Sequence, residues 1–167
     1  MALVIGIDPG TARTGYGLVR QTQDGALEQV DFGVITTAPA IPMPQRLERL
    51  YRSLMEILAL HRPQSGAVEK LFFQKNVSTA MSVGQARGVV VLALAQANLE
   101  VHEYTPREIK QAIVGYGNAS KAQMQDMVRV LLGLKATPRP EDAADALAVA
   151  ICHLHSLGLK NRIEGRQ

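Results

Sequence analysis

Four carboxylates stand in places where plain solvation is a poor explanation for charge. Asp8 ends the apolar run Leu3–Ile7 just ahead of a Pro9-Gly10 turn signal, and Glu69 lies inside the strand-like run Ser65–Leu71. Asp142 and Asp145 are three residues apart, so they share one face of a helix whose sequence reads Ala143-Ala144-Asp145-Ala146-Leu147-Ala148-Val149. Small neighbours imply a helix packed closely on a sheet, where an unpaired Asp145 would be costly or take up a proton. Taken singly, these acids have ordinary explanations: a turn aspartate, an edge-strand glutamate, and first-turn acids (Asp142 and the adjacent Glu141) that complement a helix dipole. Taken together, they could converge on one end of a sheet. Clustered carboxylates repel one another unless divalent cations sit among them, and oxygen-only ligation suits Mg²⁺ or Mn²⁺ better than zinc. The chemistry such a set serves is two-metal phosphodiester hydrolysis.

The elements that must carry these residues are legible in order. Leu3–Ile7, Tyr16–Arg20 and Leu27–Thr36 read as strands, with Gly10 and Gly15 bracketing one reversal and Asp24-Gly25 marking the next, so an antiparallel meander opens the chain with Asp8 near the middle of the sheet. After the Pro39–Pro44 connector, Leu47, Leu50, Leu54, Ile57, Leu58 and His61 draw one apolar stripe on a helix that Pro63 stops. Ser65–Leu71 is then a strand, Thr79–Leu99 a helix apolar on more than one side, and Val101–Tyr104 a strand. Thr105-Pro106-Arg107-Glu108 and Ser120 with Gln123 are capping boxes that start two further helices, ending at Gly115 and Gly133. A last helix runs from about Pro138–Pro140 to Leu157 or Gly158. Helices alternating with strands after residue 44 add parallel strands beside the meander. The expected fold is α/β, a mixed five-strand sheet with helices on both faces. Residues 1–158 form one domain on this reading, and 159–167 form a disordered tail.

Composition narrows the class. The chain has 167 residues, 47% of them hydrophobic, which suits one core. Its formal net charge of +3 is too small to announce nucleic acid by itself. The basic residues Lys70, Lys75, Arg87, Arg107, Lys110, Lys121, Arg129, Lys135 and Arg139 nonetheless all follow the first third, which suits a polyanionic substrate. Cys152 is the only cysteine, which excludes a disulfide framework and a Cys-based zinc site and reads as buried filler. His61, His102, His153 and His155 do not form a convincing metal set. The longest uninterrupted apolar run, Val89–Ala95, is short for a bilayer, and no leader-like start is evident, so a cytoplasmic protein is expected. Ile163-Glu164-Gly165-Arg166 resembles a protease-recognition tetrapeptide and carries no functional weight.

Several motifs in sequence order resemble those of the RuvC crossover-junction endonuclease family: Gly6-Ile7-Asp8-Pro9-Gly10, Thr14-Gly15-Tyr16-Gly17, Ala67-Val68-Glu69, Gly84-Gln85-Ala86-Arg87-Gly88, Ile109-Lys110-Gln111, Val114-Gly115 and Asp142-Ala143-Ala144-Asp145-Ala146-Leu147-Ala148. The resemblance reaches to about Leu157. It implies an RNase H-like fold, a homodimer, Mg²⁺ with Mn²⁺ able to substitute, two ions per site, and paired nicks in opposed strands of a Holliday junction during recombination and repair. It also implies a RuvA-RuvB branch-migration complex as partner. It places the catalytic and metal-binding carboxylates at Asp8, Glu69, Asp142 and Asp145. Some members carry His at the third of these positions, and Lys70, next to the glutamate, is a further cation for the metal site or a phosphate.

Toward DNA, Lys110 and Lys121 are expected to contact phosphates. Lys110 follows a capped helix start, and Lys121 lies in a first turn where backbone N–H groups attract anions. Lys75 joins them in the polar segment after Phe72 and Phe73. Strand alternation sends those two rings to opposite faces, which leaves Phe72, or failing it Phe73, to wedge against an unpaired base at the crossover. Two other classes compete. An ATP-binding actin/hexokinase-type domain also carries Asp-x-Gly-Thr after a first strand, but it needs a second phosphate motif and an adenosine-binding glycine segment, neither of which is found. A non-catalytic DNA-binding module leaves Glu69 and Asp145 without purpose.

Overall fold

The computed structural model describes residues 1–70 and 77–165. Five strands form one sheet in the order β3-β2-β1-β4-β5: β1 Ala2–Asp8, β2 Arg13–Gln21, β3 Leu27–Thr36, β4 Ser65–Glu69 and β5 Glu100–Tyr104. β1, β2 and β3 are the antiparallel meander expected from the sequence, and β4 and β5 are parallel additions beside β1. The helices are α1 Met43–His61, α2 Val77–Gln96, α3 Pro106–Val114, α4 Lys121–Leu131 and α5 Glu141–Glu164.

Strand alternation divides the core in two. Ile5, Ile7, Leu18 and Val68 face α1 and α2, where Leu50, Leu54, Leu58, Val90 and Leu94 complete one cluster. Val4, Val19 and Ala67 face the other way, onto α5, which α3 and α4 cover from outside through Ile109, Ile113 and Val128. From Ala146 to Leu154 every residue of α5 is buried, and this sandwiching is why its sequence is apolar on all sides.

The close seating of α5 has a specific cause. A Cβ on Gly6 would overlap the Ala146 carbonyl and the Ala150 amide, and one on Gly15 would overlap the Asp142 carbonyl. Gly6 and Gly15 therefore let the helix backbone lie directly on the sheet, with Ala146 and Ala150 as the helix's own small residues there. Both capping boxes form: Glu108 N–H donates to Thr105 Oγ1 at 3.1 Å, and Gln123 N–H to Ser120 Oγ at 3.2 Å. Gly115, at φ 93°, closes α3 in the left-handed region.

Three expectations need adjustment. β4 ends at Glu69 and not at Leu71, which lies outside the described residues. α5 continues to Glu164, so residues 159–164 are helical and not a disordered tail. One glycine at 158 costs a helix only about 1 kcal/mol, and no proline or capping residue follows it to stop the run. Finally, α2 is apolar and long enough for a bilayer when polar interruptions are allowed, although only a minority of it is buried. Ala86, Val90, Ala93 and Leu94 pack inward, Arg87 pairs with Glu103 of β5, and Val77, Met81 and Leu92 face out at 81, 66 and 51% exposure.

Candidate active site

The register of two parallel strands brings the first two carboxylates together. Gly6 pairs with Ala67 and Ile7 with Val68, so one step on Asp8 stands beside Glu69 at the ends of β1 and β4. Both fall on the α5 side, because Gly6 and Ala67, two residues earlier, already face that helix. Gly15, opposite Asp8 on β2, meets the backbone of Asp142, which fixes the start of α5 over the same end of the sheet. One turn on, Asp145 completes the group.

The gathered acids act on one another electrostatically. Asp8 has its pKa pushed up to about 7, first by burial and then by the charges of Asp145, Glu69 and Asp142, with Lys121 opposing. Burial likewise raises Glu69, with Asp145 adding to it and Lys121 and Lys110 opposing. Asp145 is raised by burial despite its ion pair with Lys121 Nζ at 3.3 Å, so that single ammonium does not neutralise the cluster. Lys121 also pairs with Glu141. Its own partial burial works against its charge, but the two carboxylates outweigh it and hold the ammonium above the usual lysine range.

A cleft of about 360 Å³ opens beside this group, lined by Glu69, Asp145, Lys110, Lys121, Ile109 and Met124 among others. Asp8 and Asp142 lie outside its walls. Among the described residues no three His, Cys, Asp or Glu side chains close into a ready-made metal cage. The reason is visible in the ion pairs: Arg13 Nε holds Asp142 at 2.8 Å and Lys121 holds Asp145, so two of the four acids are turned toward protein cations. The donor set still fits a hard divalent ion, being all oxygen and carrying more negative charge than its lysine offsets.

The structure thus gathers Asp8, Glu69, Asp142 and Asp145, with Lys110 and Lys121 on the cleft wall. The Lys70 charge acts on Glu108, the capping residue of α3. Phe72, Phe73 and Lys75 lie outside the described residues. The histidines serve structure. His153 is fully buried between Ser65 Oγ and Tyr104 Oη, each 2.8 Å away, His61 meets Asp31 at 3.0 Å, and His155 reaches the Ala112 carbonyl at 3.2 Å. Cys152 is buried and its thiol is pushed up to about 12, in keeping with an inert filler. Sequence reasoning missed Arg13. The signal was the tight Gly10–Gly15 reversal, which returns β2 to the end of β1 and carries Arg13 with it.

The chain is similar to known proteins in sequence and in fold. The family profile "Crossover junction endodeoxyribonuclease RuvC" matches residues 4–153. The chain is 56% identical over 160 residues to the crossover junction endodeoxyribonuclease RuvC of Roseiflexus sp. (strain RS-1), covering 96% of this chain and 95% of that one. It is 57% identical over 152 residues to that of Chloroflexus aurantiacus (strain ATCC 29366 / DSM 635 / J-10-fl), covering 91 and 92%. The RuvC structure of Thermus thermophilus in complex with Holliday junction substrate superposes with a TM-score of 0.91 at 37% identity, covering 96% of this chain and 97% of that one. The fold is accordingly RNase H-like, and the chain belongs to the RuvC family of crossover junction endodeoxyribonucleases.

Proposed function

We propose that the chain resolves Holliday junctions by paired, metal-dependent nicks, with Asp8, Glu69, Asp142 and Asp145 holding two divalent ions, Mg²⁺ or Mn²⁺, at the end of β1 and β4. The observation that carries this is the convergence of the four acids next to a cleft walled by Lys110 and Lys121. The chemistry such ions supply when bound is activation of a water nucleophile and stabilisation of the departing 3′ oxygen. The protein's own part is positioning. The parallel register holds Asp8 beside Glu69, the glycine seat holds α5, and the capped N-terminus of α4 presents Lys121 where a phosphate would lie.

Cutting opposed strands symmetrically calls for two sites related by a two-fold axis. The outward apolar side of α2, with Val77, Met81 and Leu92, supports a homodimer through that helix. Phe72 or Phe73 as wedge, Lys75 as a further phosphate contact, RuvA-RuvB as partner and a cytoplasmic setting complete the reading on the strength of the family. The ATP-binding and non-catalytic readings gain nothing from the site. The test is incubation of the wild type and Asp8→Asn with a labelled four-way junction, with Mg²⁺ or with EDTA. Wild type should nick only with metal, while Asp8→Asn binds and leaves the junction whole. Full cleavage by Asp8→Asn, or cleavage in EDTA, would overturn the proposal.

A further inference from the structure

Arg13 is the first residue of β2, and its backbone is fixed on both sides. It pairs with Thr36 of β3, while the preceding loop is tied by Thr14 Oγ1 donating to the Gly10 carbonyl at 2.7 Å and Thr37 Oγ1 donating to the Thr11 carbonyl at 2.6 Å. From that mount the guanidinium reaches Asp142, with Nε 2.8 Å from a carboxylate oxygen. The Arg13 side chain is 51% exposed against 32% for Asp142. The Arg13 charge also acts on Glu141, so it sits over the start of α5 at the edge of the carboxylate group.

We infer that Arg13 is a positioning residue that exchanges partners: it holds Asp142 while no metal is bound, and passes to a phosphate of the junction strand when a divalent ion takes that carboxylate. The inference rests on the carboxylates being the metal site. Its physical basis is charge balance. A divalent ion and a guanidinium repel, so metal entry at Asp142 costs the loss of the Arg13 pair. The freed guanidinium, on a fixed backbone and already facing solvent, then presents its donors to the nearest anion, which in the complex is DNA. Metal binding and strand binding become linked through one side chain, each favouring the state the other needs.

The test uses two measurements on wild type, Arg13→Ala, Arg13→Lys and Asp8→Asn. The first is calorimetric titration with Mn²⁺ in the absence of DNA. Arg13→Ala should bind about fivefold more tightly, the worth of a part-exposed ion pair, with Arg13→Lys closer to wild type. The second is junction affinity across a salt series, in EDTA and in Ca²⁺, with uncut junction verified on a denaturing gel. In EDTA the slopes of wild type and Arg13→Ala should coincide. In Ca²⁺ the slope of Arg13→Ala should be lower by about one, and Arg13→Lys should restore it.

Equal or weaker Mn²⁺ affinity in Arg13→Ala, or a slope difference that is the same with and without metal, overturns the exchange. Asp8→Asn separates the two readings. If wild type binds Mn²⁺ no better than Asp8→Asn does, the carboxylate metal site fails and the inference fails with it. If wild type binds and Asp8→Asn does not, a negative result for Arg13→Ala rejects the exchange alone.

Discussion

Replacing Asp8 by Asn should stabilise the metal-free protein while removing its response to metal, and the size of the effect follows from the site. The Asp8 carboxyl is pushed from 3.8 up to about 7 by burial and by its acidic neighbours. A pKa raised in the folded state means that folding favours the protonated form. Stability contributed by this group is therefore greatest below its unfolded pKa, falls as pH rises through the window from about 4 to 7, and levels off above that. A shift of about 3 units corresponds to at most about 4 kcal/mol at pH 8. Allowing for water at the mouth of the site, about 2–4 kcal/mol is expected, or roughly 5–15 °C in Tm for a chain of this length. Asparagine keeps the shape and drops the charge.

The assay is thermal unfolding followed by circular dichroism, for wild type and Asp8→Asn, in EDTA at several pH values from 4.5 to 8.5 and again with Mg²⁺. The difference between the two proteins reports Asp8 together with the acids coupled to it, Asp145, Glu69 and Asp142, because the remaining titrating groups are shared. It should widen from pH 4.5 to 7 and then stay constant, with Asp8→Asn the more stable. Mg²⁺ should raise the Tm of wild type at pH 8 and close the gap, since only wild type keeps the full ligand set. An Asp8→Asn variant that is less stable than wild type in EDTA at pH 8, or a difference independent of pH, would refute the idea that this end of the sheet stores unneutralised charge.

Three other outcomes are expected. Gly15→Ala should push the Asp142 carbonyl off the sheet, costing about 1–3 kcal/mol by overpacking, and should reduce junction cleavage more than its loss of stability at the assay temperature explains; denaturant melts and cleavage rates on the same samples check this. Lys110→Ala and Lys121→Ala should each lower the salt slope of junction binding by about one, which filter binding across a salt series measures directly. Leu92→Glu, placing charge on the outward side of α2, should shift the protein toward monomer in analytical ultracentrifugation and slow paired cutting, whereas an active wild-type monomer at micromolar concentration would dismiss α2 as an interface.

The parts of the fold that were legible in the sequence are those governed by local rules. Thr105 with Glu108 and Ser120 with Gln123 form the capping boxes their spacing announces, and Asp24-Gly25 makes the hairpin, because each depends on residues a few positions apart. The acids on the strand ends were legible for a related reason: Asp8 ends the short apolar run Leu3–Ile7 and Glu69 lies inside the strand-like run Ser65–Leu71, where a charge stands out. The end of α5 was misjudged because Gly158 is a weak stop in a helix anchored far upstream by Ala146–Leu154. Arg13 escaped notice because its role depends on a contact across 129 positions of chain, with Asp142, that no local pattern encodes.

That long-range contact also explains why the four acids are drawn together without closing into a cage. Sheet register and the glycine seat bring the backbone atoms of Asp8, Glu69, Asp142 and Asp145 to one place regardless of charge, since burial of α5 drives that packing. The side chains then answer to electrostatics alone. Burial raises Asp8 and Glu69, which have no ion pair among the described residues, and Asp142 and Asp145 swing to Arg13 and Lys121. Packing therefore sets the positions and leaves the charge unresolved. A divalent ion relieves that imbalance most directly where the strand-end pair stands, so Asp8 and Glu69 are the acids with most to gain from metal. On the two-metal reading proposed above, Asp142 would first have to give up its arginine, so among the four acids its engagement would depend most on what the DNA brings.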